Sequence, residues 1–329
     1  MRINPKRKSL ALLGVIILTI SLLTTPGCAT LDVDSYDTGA SIASDGIPAV
    51  KLDGVPAERY TEPSDQNNVN SSTKSITDKL VVRFIDVGKG DCALISCDGK
   101  ALLIDGGPSS ASSKLYAILK RLGITHLDYI IATHPDADHC GGIAGALNFA
   151  DCGTFYCSVT KHDTKTFNSI LKYLGDTPVT IPSLGNTFSL GAAQVEFVGP
   201  VKRTSDTNDG SLVCKITLGN SSFLFTGDAE ETSEFLMANS SVDIDADVLK
   251  VGHHGSNTSS SDLFLSKVTP KYAIISVGSN NYGHPSNETL QRLGNAGTEV
   301  LRTDELGTII MTTDGNDIKL ETTKGIIEK

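Results

Sequence analysis

Thr133-His134-Pro135-Asp136-Ala137-Asp138-His139-Cys140-Gly141-Gly142 places two imidazoles and two carboxylates within six positions. Four such groups held this close repel one another or compete for protons unless a cation sits among them, so the pattern is metal-binding chemistry. The run directly before them, Leu127 to Ala132, is apolar and β-branched and reads as a buried strand. Ile143 to Phe149 follows with helical spacing. A strand, a ligand-bearing loop and a helix in that order hold short side chains at the mouth of a sheet.

The same arrangement recurs along the chain. Leu80 to Val87, Cys92 to Cys97 and Ala101 to Ile104 read as strands, joined by the Gly88-Lys89-Gly90-Asp91 turn and ending at Asp105-Gly106-Gly107. Ser112 to Leu122 has helical spacing and stops at Gly123, a C-cap residue. Gly153 to Val159 reads as strand, Thr164 to Leu174 as helix and Gln194 to Val198 as strand. Leu212 to Leu218 and Ser222 to Phe225 form a strand pair that ends in Thr226-Gly227-Asp228. Glu230 to Met237 is a short helix, and Ala246 to Val251 is a strand ending in Gly252-His253-His254-Gly255-Ser256. Ser260 to Val268 is helical, Tyr272 to Val277 a strand, and Gly283-His284-Pro285 follows. Ser286 N-caps a helix to Leu293, and strands are expected at Glu299–Arg302, Thr308–Thr313 and Asp317–Thr322. Two mixed sheets covered by helices, with each His/Asp cluster at a strand end, predict an α/β protein built as a four-layer αββα sandwich. The metal site would lie along the shared edge of the two sheets.

Ahead of this domain stand two different segments. Arg2, Lys6, Arg7 and Lys8 precede an apolar stretch, Ala11 to Leu23, of signal-peptide length. Thr25-Pro26-Gly27-Cys28 then resembles a bacterial lipoprotein signal with Cys28 as the lipidated residue, although Thr25 stands where Leu is usual. Residues 1–28 are thus expected to export the protein and anchor it to the membrane of a bacterial cell surface. Residues 29–78 are rich in Ser, Asp, Thr, Asn and Pro, which is the composition of a flexible linker. The folded domain is expected over residues 79–329. Without residues 1–28 the chain carries 24 Lys and Arg against 38 Asp and Glu, a formal net charge of −14. That excludes the basic footprint of a general nucleic-acid binder; a polyanionic substrate would have to be drawn in locally, by bound metal.

Taken together, these motifs resemble the metallo-β-lactamase superfamily, and more narrowly the hydrolase domain of ComEC-type competence proteins. The residues that carry the resemblance are Phe84 to Asp91, Leu103 to Gly107, Thr133 to Gly142, Asn208 to Val213, Phe225 to Glu230, Lys250 to Ser256 and Gly283 to Pro285. The resemblance implies two divalent metal ions, zinc or manganese, and a metal-activated water. It puts His134 and Asp136 at one ion and Asp138 and His139 at the other, with Asp228 bridging and His284 completing the second site. Asp138 and Asp228 would orient the water, and His253 would stand near the leaving group with His254 as its neighbour. Asp105 would hydrogen-bond the metal loop.

Two departures from the commonest family pattern strip nitrogen from the first site. Asp136 replaces the middle imidazole, and no histidine lies between His162 and His253. An oxygen-rich site favours harder ions such as manganese or magnesium over zinc. The expected function is therefore an exported, metal-dependent phosphodiesterase or nuclease, acting on DNA or another surface phosphodiester. A lactamase or lactonase-type hydrolase and a non-catalytic surface-binding module are the alternatives. No protein partner is implied. Lys89 reads as a turn lysine, or as a contact for substrate phosphate, and His126 and His162 carry no expected chemistry. Six cysteines remain beyond Cys28. They are expected to be mostly unpaired buried thiols, with Cys140–Cys152 the pairing least opposed by spacing.

Overall fold

The structure is a computed structural model and describes residues 79–324. The expected leader and linker lie outside the described residues. The first strands in chain order are β1 (Leu80–Phe84), β2 (Ala93–Cys97), β3 (Lys100–Ile104), β4 (His126–Ala132), β5 (Asp151–Cys157) and β6 (Val179–Thr180). There follow β7 (Thr187–Leu190), β8 (Ala193–Gly199), β9 (Val213–Leu218), β10 (Ser221–Phe225), β11 (Val248–Lys250), β12 (Tyr272–Ile275) and β13 (Glu299–Arg302). The last two are β14 (Ile309–Thr313) and β15 (Ile318–Thr322).

They build two sheets, ordered β15-β14-β1-β2-β3-β4-β5-β6 and β13-β12-β11-β10-β9-β8-β7. Both are mixed. β3, β4 and β5 run parallel in the first, and β10, β11, β12 and β13 run parallel in the second. The two sheets are not successive halves of the chain. The β14–β15 hairpin returns to the first sheet, pairing Leu80 with Thr313 and Phe84 with Ile309. Without that return, β1 would leave its backbone edge and its apolar face unpaired.

Period-2 alternation assigns the side chains to layers. Leu102, Phe223 and Phe225 face the space between the sheets, where Phe84 stacks on Phe225 at 5.7 Å between centroids. Their neighbours Leu103 and Leu224 point outward, into separate clusters under the helices. The helices α1 (Ser112–Leu122), α2 (Ala137–Cys140), α3 (Ile143–Leu147) and α4 (Lys165–Leu174) cover the first sheet through Leu115, Leu119, Ile143, Phe167 and Ile170. On the second sheet lie α5 (Glu231–Ala238), α6 (Asp262–Val268) and α7 (Asn287–Asn295), buried through Met237, Phe264, Leu265 and Leu293. This is the four-layer αββα sandwich.

The helix boundaries follow their caps. Gly123 ends α1 in the left-handed region at φ 68°, and the Thr164 and Ser286 hydroxyls accept from the amides of Phe167 and Thr289. The segments with no sequence signal, β6 and β7, are short edge strands that end the two sheets. The six cysteines among the described residues are free, Cys140 and Cys152 included. Burial pushes the Cys140 and Cys152 thiols up to about 12 and Cys157 to about 11, which leaves them inert as nucleophiles. Among the described residues no helix is long and apolar enough to cross a membrane.

Candidate metal centre

The sheets deliver their polar residues to one end because their parallel strands stop in register. Ile104 of β3 pairs with Ile131 of β4, and Phe225 of β10 with Lys250 of β11. Just past these ends lie Asp105, His134, Asp228, His253 and His254. Clustering outside the carboxyl ends of parallel strands is where open α/β sheets bind ligands. The loop carrying Asp105 is clamped to the α2–α3 junction by hydrogen bonds from Gly106 N to His139 O (2.6 Å) and Gly142 N to Gly107 O (2.9 Å). A Cβ on Gly142 would sit 2.1 Å from Gly106 O, so only glycine allows this approach.

Asp228 is the hub. Its Oδ2 lies 3.9 Å from Nε2 of His134, 3.9 Å from Nε2 of His253 and 3.7 Å from Nε2 of His254. Its Oδ1 is 3.0 Å from Nε2 of His139. His139 Nε2 and His254 Nε2 face each other at 3.3 Å, and His254 Nε2 lies 3.9 Å from Asp138 Oδ2. Asp136 Oδ2 stands 3.9 Å from His134 Nε2 on the open side. His134, His139, Asp228 and His254 are all buried, yet His134 Nε2 has no hydrogen-bond partner. Buried polar atoms are rarely orphaned without a reason. Imidazole nitrogens that converge on one carboxylate, one of them unpartnered, fit a cation between them.

Each imidazole is held from behind. His139 Nδ1 donates to Asp105 Oδ2 (2.9 Å), and the same carboxylate accepts from Thr133 N (2.8 Å) and Thr133 Oγ1 (2.7 Å). His254 Nδ1 donates to Ser276 O (3.0 Å), with Asp91 Oδ1 beside it at 3.1 Å. His253 Nδ1 donates to Glu230 Oε1 (2.7 Å), which also accepts from Thr258 Oγ1 (2.7 Å). His134 Nδ1 lies 3.1 Å from Thr133 Oγ1 and 3.3 Å from Ser211 Oγ. Fixing Nδ1 leaves Nε2 aimed inward, as metal-ligating histidines require. Asp91, His139, Asp228 and His254 all offer donor atoms within 4.8 Å of one another. Asp91 is nonetheless committed elsewhere: its Oδ2 is 2.6 Å from Lys250 Nζ, in a buried pair that joins the two sheets. It braces His254 rather than adding a donor.

The charges reflect the crowding. Burial opposes ionisation of Asp228, but His139, His254 and His134 overcome it and hold the carboxyl well below its usual range. His139 is likewise raised well above an ordinary histidine, Asp228 and Asp105 outweighing burial, and His254 is raised by Asp228 and Asp91 against the same penalty. These two imidazolium groups supply positive charge at the hub when no cation does. His134 goes the other way, lowered to about 4 by burial and by the charge of His139. Asp136 is raised by burial and by neighbouring Asp138, while His139, His254 and Lys89 outweigh burial to lower Asp138.

The residues singled out from sequence thus sort unevenly. His134, Asp138, His139 and Asp228 come together with His254, and Asp136 stands at their open side. His284 lies farther out: its ring is 5.4 Å from that of His253, and it lines the cavity instead of joining the tight group. His254 is the deep member of the His-His pair, and His253 stands in the cavity wall. Both adopt left-handed backbone (φ 53° and 47°), which turns adjacent rings to different neighbours. Asp91, Lys250 and Glu230 went unassigned, although a lysine inside the apolar run Val248 to Val251 demands a buried partner. An open cavity of about 210 Å³ leads to the hub, its wall including Lys89, Asn208, His253, Asn280, Tyr282 and His284.

The chain is 33% identical over 250 residues to ComE operon protein 3 of Bacillus subtilis, covering 69% of this chain and 32% of that one. It is 29% identical over 235 residues to Competence protein ComA of Neisseria gonorrhoeae, covering 70% and 32%. The chain therefore spans about a third of the length of these relatives. In fold it is similar to the metallo-beta-lactamase fold protein YhfI of Bacillus subtilis, with a TM-score of 0.50 at 14% identity, covering 71% of this chain and 100% of that one. Residues 85–279 match the Metallo-beta-lactamase superfamily description, and the chain belongs to that superfamily.

Proposed function

We propose that the protein is an exported, metal-dependent phosphodiesterase whose substrate is DNA or another surface phosphodiester. The observation that carries this reading is the convergence of four imidazole Nε2 atoms on one buried carboxylate, with the buried His134 Nε2 lacking any hydrogen-bond partner of its own. His134, Asp136 and Asp228 would hold one divalent cation, and Asp138, His139, Asp228 and His254 the other. His254 takes the place that the family resemblance had given to His284. Bound cations would supply an acidified water and positive charge for phosphoryl oxygens. Carboxylate oxygens make up much of each donor set, which supports manganese over zinc.

The chain's own residues do the rest. Asp105 and Asp91 keep His139 and His254 from rotating. Asp138 and Asp228 orient the attacking water. Glu230 holds His253 so that Nε2 faces the cavity, where it can give a proton to the departing oxygen. The competence relatives support DNA as the phosphodiester, and the apolar stretch Ala11 to Leu23, followed by Cys28, supports export and a lipid anchor.

The test is to incubate the protein with bis-p-nitrophenyl phosphate, single-stranded DNA and nitrocefin, each with EDTA, zinc or manganese. Manganese-dependent cleavage of the two phosphodiesters, abolished by EDTA, is expected. Opening of nitrocefin would instead make it a lactamase-type hydrolase, and inertness toward all three would make it a binding module.

A further inference from the structure

The rim of the cavity carries two groups that the hydrolytic chemistry does not use. Lys89 is the one Lys or Arg among the described residues lining it. Its Nζ lies 3.2 Å from Asp138 Oδ2 and 4.4 Å from the centre of the Tyr282 ring. Tyr282 itself is 69% exposed, the most open large apolar side chain among the described residues. Such exposure of an aromatic ring beside a lysine at a cavity mouth needs a reason.

The loop that presents Tyr282 is built to stay in place. The Asn280 side chain donates to Gly278 O (2.9 Å) and His284 O (2.8 Å) and accepts from the amides of Tyr282 and His284 (3.1 Å each). Gly278 packs so tightly on the opposite turn that a Cβ there would meet Gly88 C at 2.5 Å and Lys89 N at 2.7 Å. The lysine turn and the tyrosine loop, which come from different sheets, are thereby locked side by side. His284, 5.9 Å from Tyr282 and 5.4 Å from His253, continues the wall inward to the hub.

We propose that Lys89 and Tyr282 form a nucleotide-binding rim, Lys89 taking a phosphate and Tyr282 stacking an unpaired base, so that the substrate is single-stranded nucleic acid. This rests on the phosphodiesterase reading and narrows it. Asp138 and the Tyr282 hydroxyl engage two of the three Nζ–H donors, which leaves the third for an anion. A stacked base adds sequence-tolerant affinity that a chain of formal charge −10 cannot obtain from a basic surface.

Calorimetric titration of the manganese-loaded protein with dTMP and with 2-deoxyribose 5-phosphate separates the two halves of the rim. The parent protein should bind dTMP more tightly. Tyr282→Ala should weaken dTMP by about 5- to 150-fold without changing deoxyribose 5-phosphate, and Tyr282→Phe should behave as the parent. Lys89→Met should weaken both ligands by about tenfold or more. Equal binding of the two ligands by the parent protein, equal losses on Tyr282→Ala, or no loss on Lys89→Met would overturn the rim. Failure to hydrolyse any phosphodiester would refute the parent reading separately, since the titration reads binding alone.

Discussion

Lys250→Met would remove the cation from a pair buried between the sheets. Lys250 Nζ lies 2.6 Å from Asp91 Oδ2, and both residues are at most 5% exposed. Removing one partner of a buried ion pair costs about 3–5 kcal/mol, because the remaining charge has neither water nor counterion. Two features place the expected loss near ~3 kcal/mol. Methionine nearly fills the volume of the lysine stem, so little cavity term is added. His254 Nδ1, 3.1 Å from Asp91 Oδ1, still offers partial compensation. A loss of ~3 kcal/mol lowers a urea midpoint by about 1–1.5 M at an m-value of roughly 2–3 kcal/mol/M.

The pH dependence gives this prediction its sign. Burial would raise the Asp91 carboxyl, but Lys250 first and His254 second hold it down from 3.8 to about 2. A depressed carboxylate stabilises the fold fully above its unfolded value and loses that contribution as pH falls toward about 2. Once Lys250 is gone, burial dominates and the carboxyl rises, so the variant regains stability by protonating as the solution is acidified. Urea denaturation followed by circular dichroism, in EDTA, should therefore show the deficit of Lys250→Met to be largest at neutral pH and smaller at pH ~4.5. Adding Asp91→Asn should recover part of it, since removal of both charges leaves no orphan. A single variant within ~1 kcal/mol of the parent at pH ~7 would refute the reasoning, and so would a double variant no better than the single.

At the hub, His139→Ala should abolish both tight metal binding by elemental analysis and phosphodiester turnover, while His162→Ala, whose ring contacts Thr164 and Phe167, should change neither. His253→Ala should lower kcat by about 10²- to 10⁴-fold with little change in KM, the usual worth of a positioned acid. Glu230→Gln, which lets the same ring rotate, should give a smaller loss of the same kind in steady-state assays. Because His139 and His254 are both raised above an ordinary histidine, each carries a proton at pH ~6 in metal-free protein. Metal binding at that pH should release about two protons, read by calorimetry in buffers of different ionisation enthalpy, and affinity should fall as pH drops. No proton release would mean that these imidazoles are not ligands.

Much of the fold was legible because its signals are local. Alternation in Leu102-Leu103 and in Phe223-Leu224-Phe225 separates inner from outer layers, and the hydroxyls of Thr164 and Ser286 mark helix starts. The short edge strands β6 and β7 were not legible, since a two- or four-residue ladder has too little apolar pattern to register. Nor was the return of β14 and β15 to the first sheet, because pairing partners more than 200 residues apart leave no trace in either segment.

At the site, residue types were readable but their division of labour was not. The loop from His134 to His139 announces donors whatever the fold around it. The adjacent pair His253-His254 does not announce which ring goes deep. That choice is made by two successive left-handed residues, each costing about 1–3 kcal/mol relative to ordinary backbone. The strain is held by contacts with residues remote in sequence: Asp91 and Ser276 for His254, Glu230 for His253. Relaxing either residue to extended or helical backbone would swing one ring away from Asp228. A glycine at 253 would accept the same φ at no cost, so His253→Gly should keep the backbone and the metal while losing the proton donor. His254→Gly should keep the backbone and lose the metal. Should the two glycine variants lose metal equally, the separation of a deep ligand from a wall-mounted acid would be wrong.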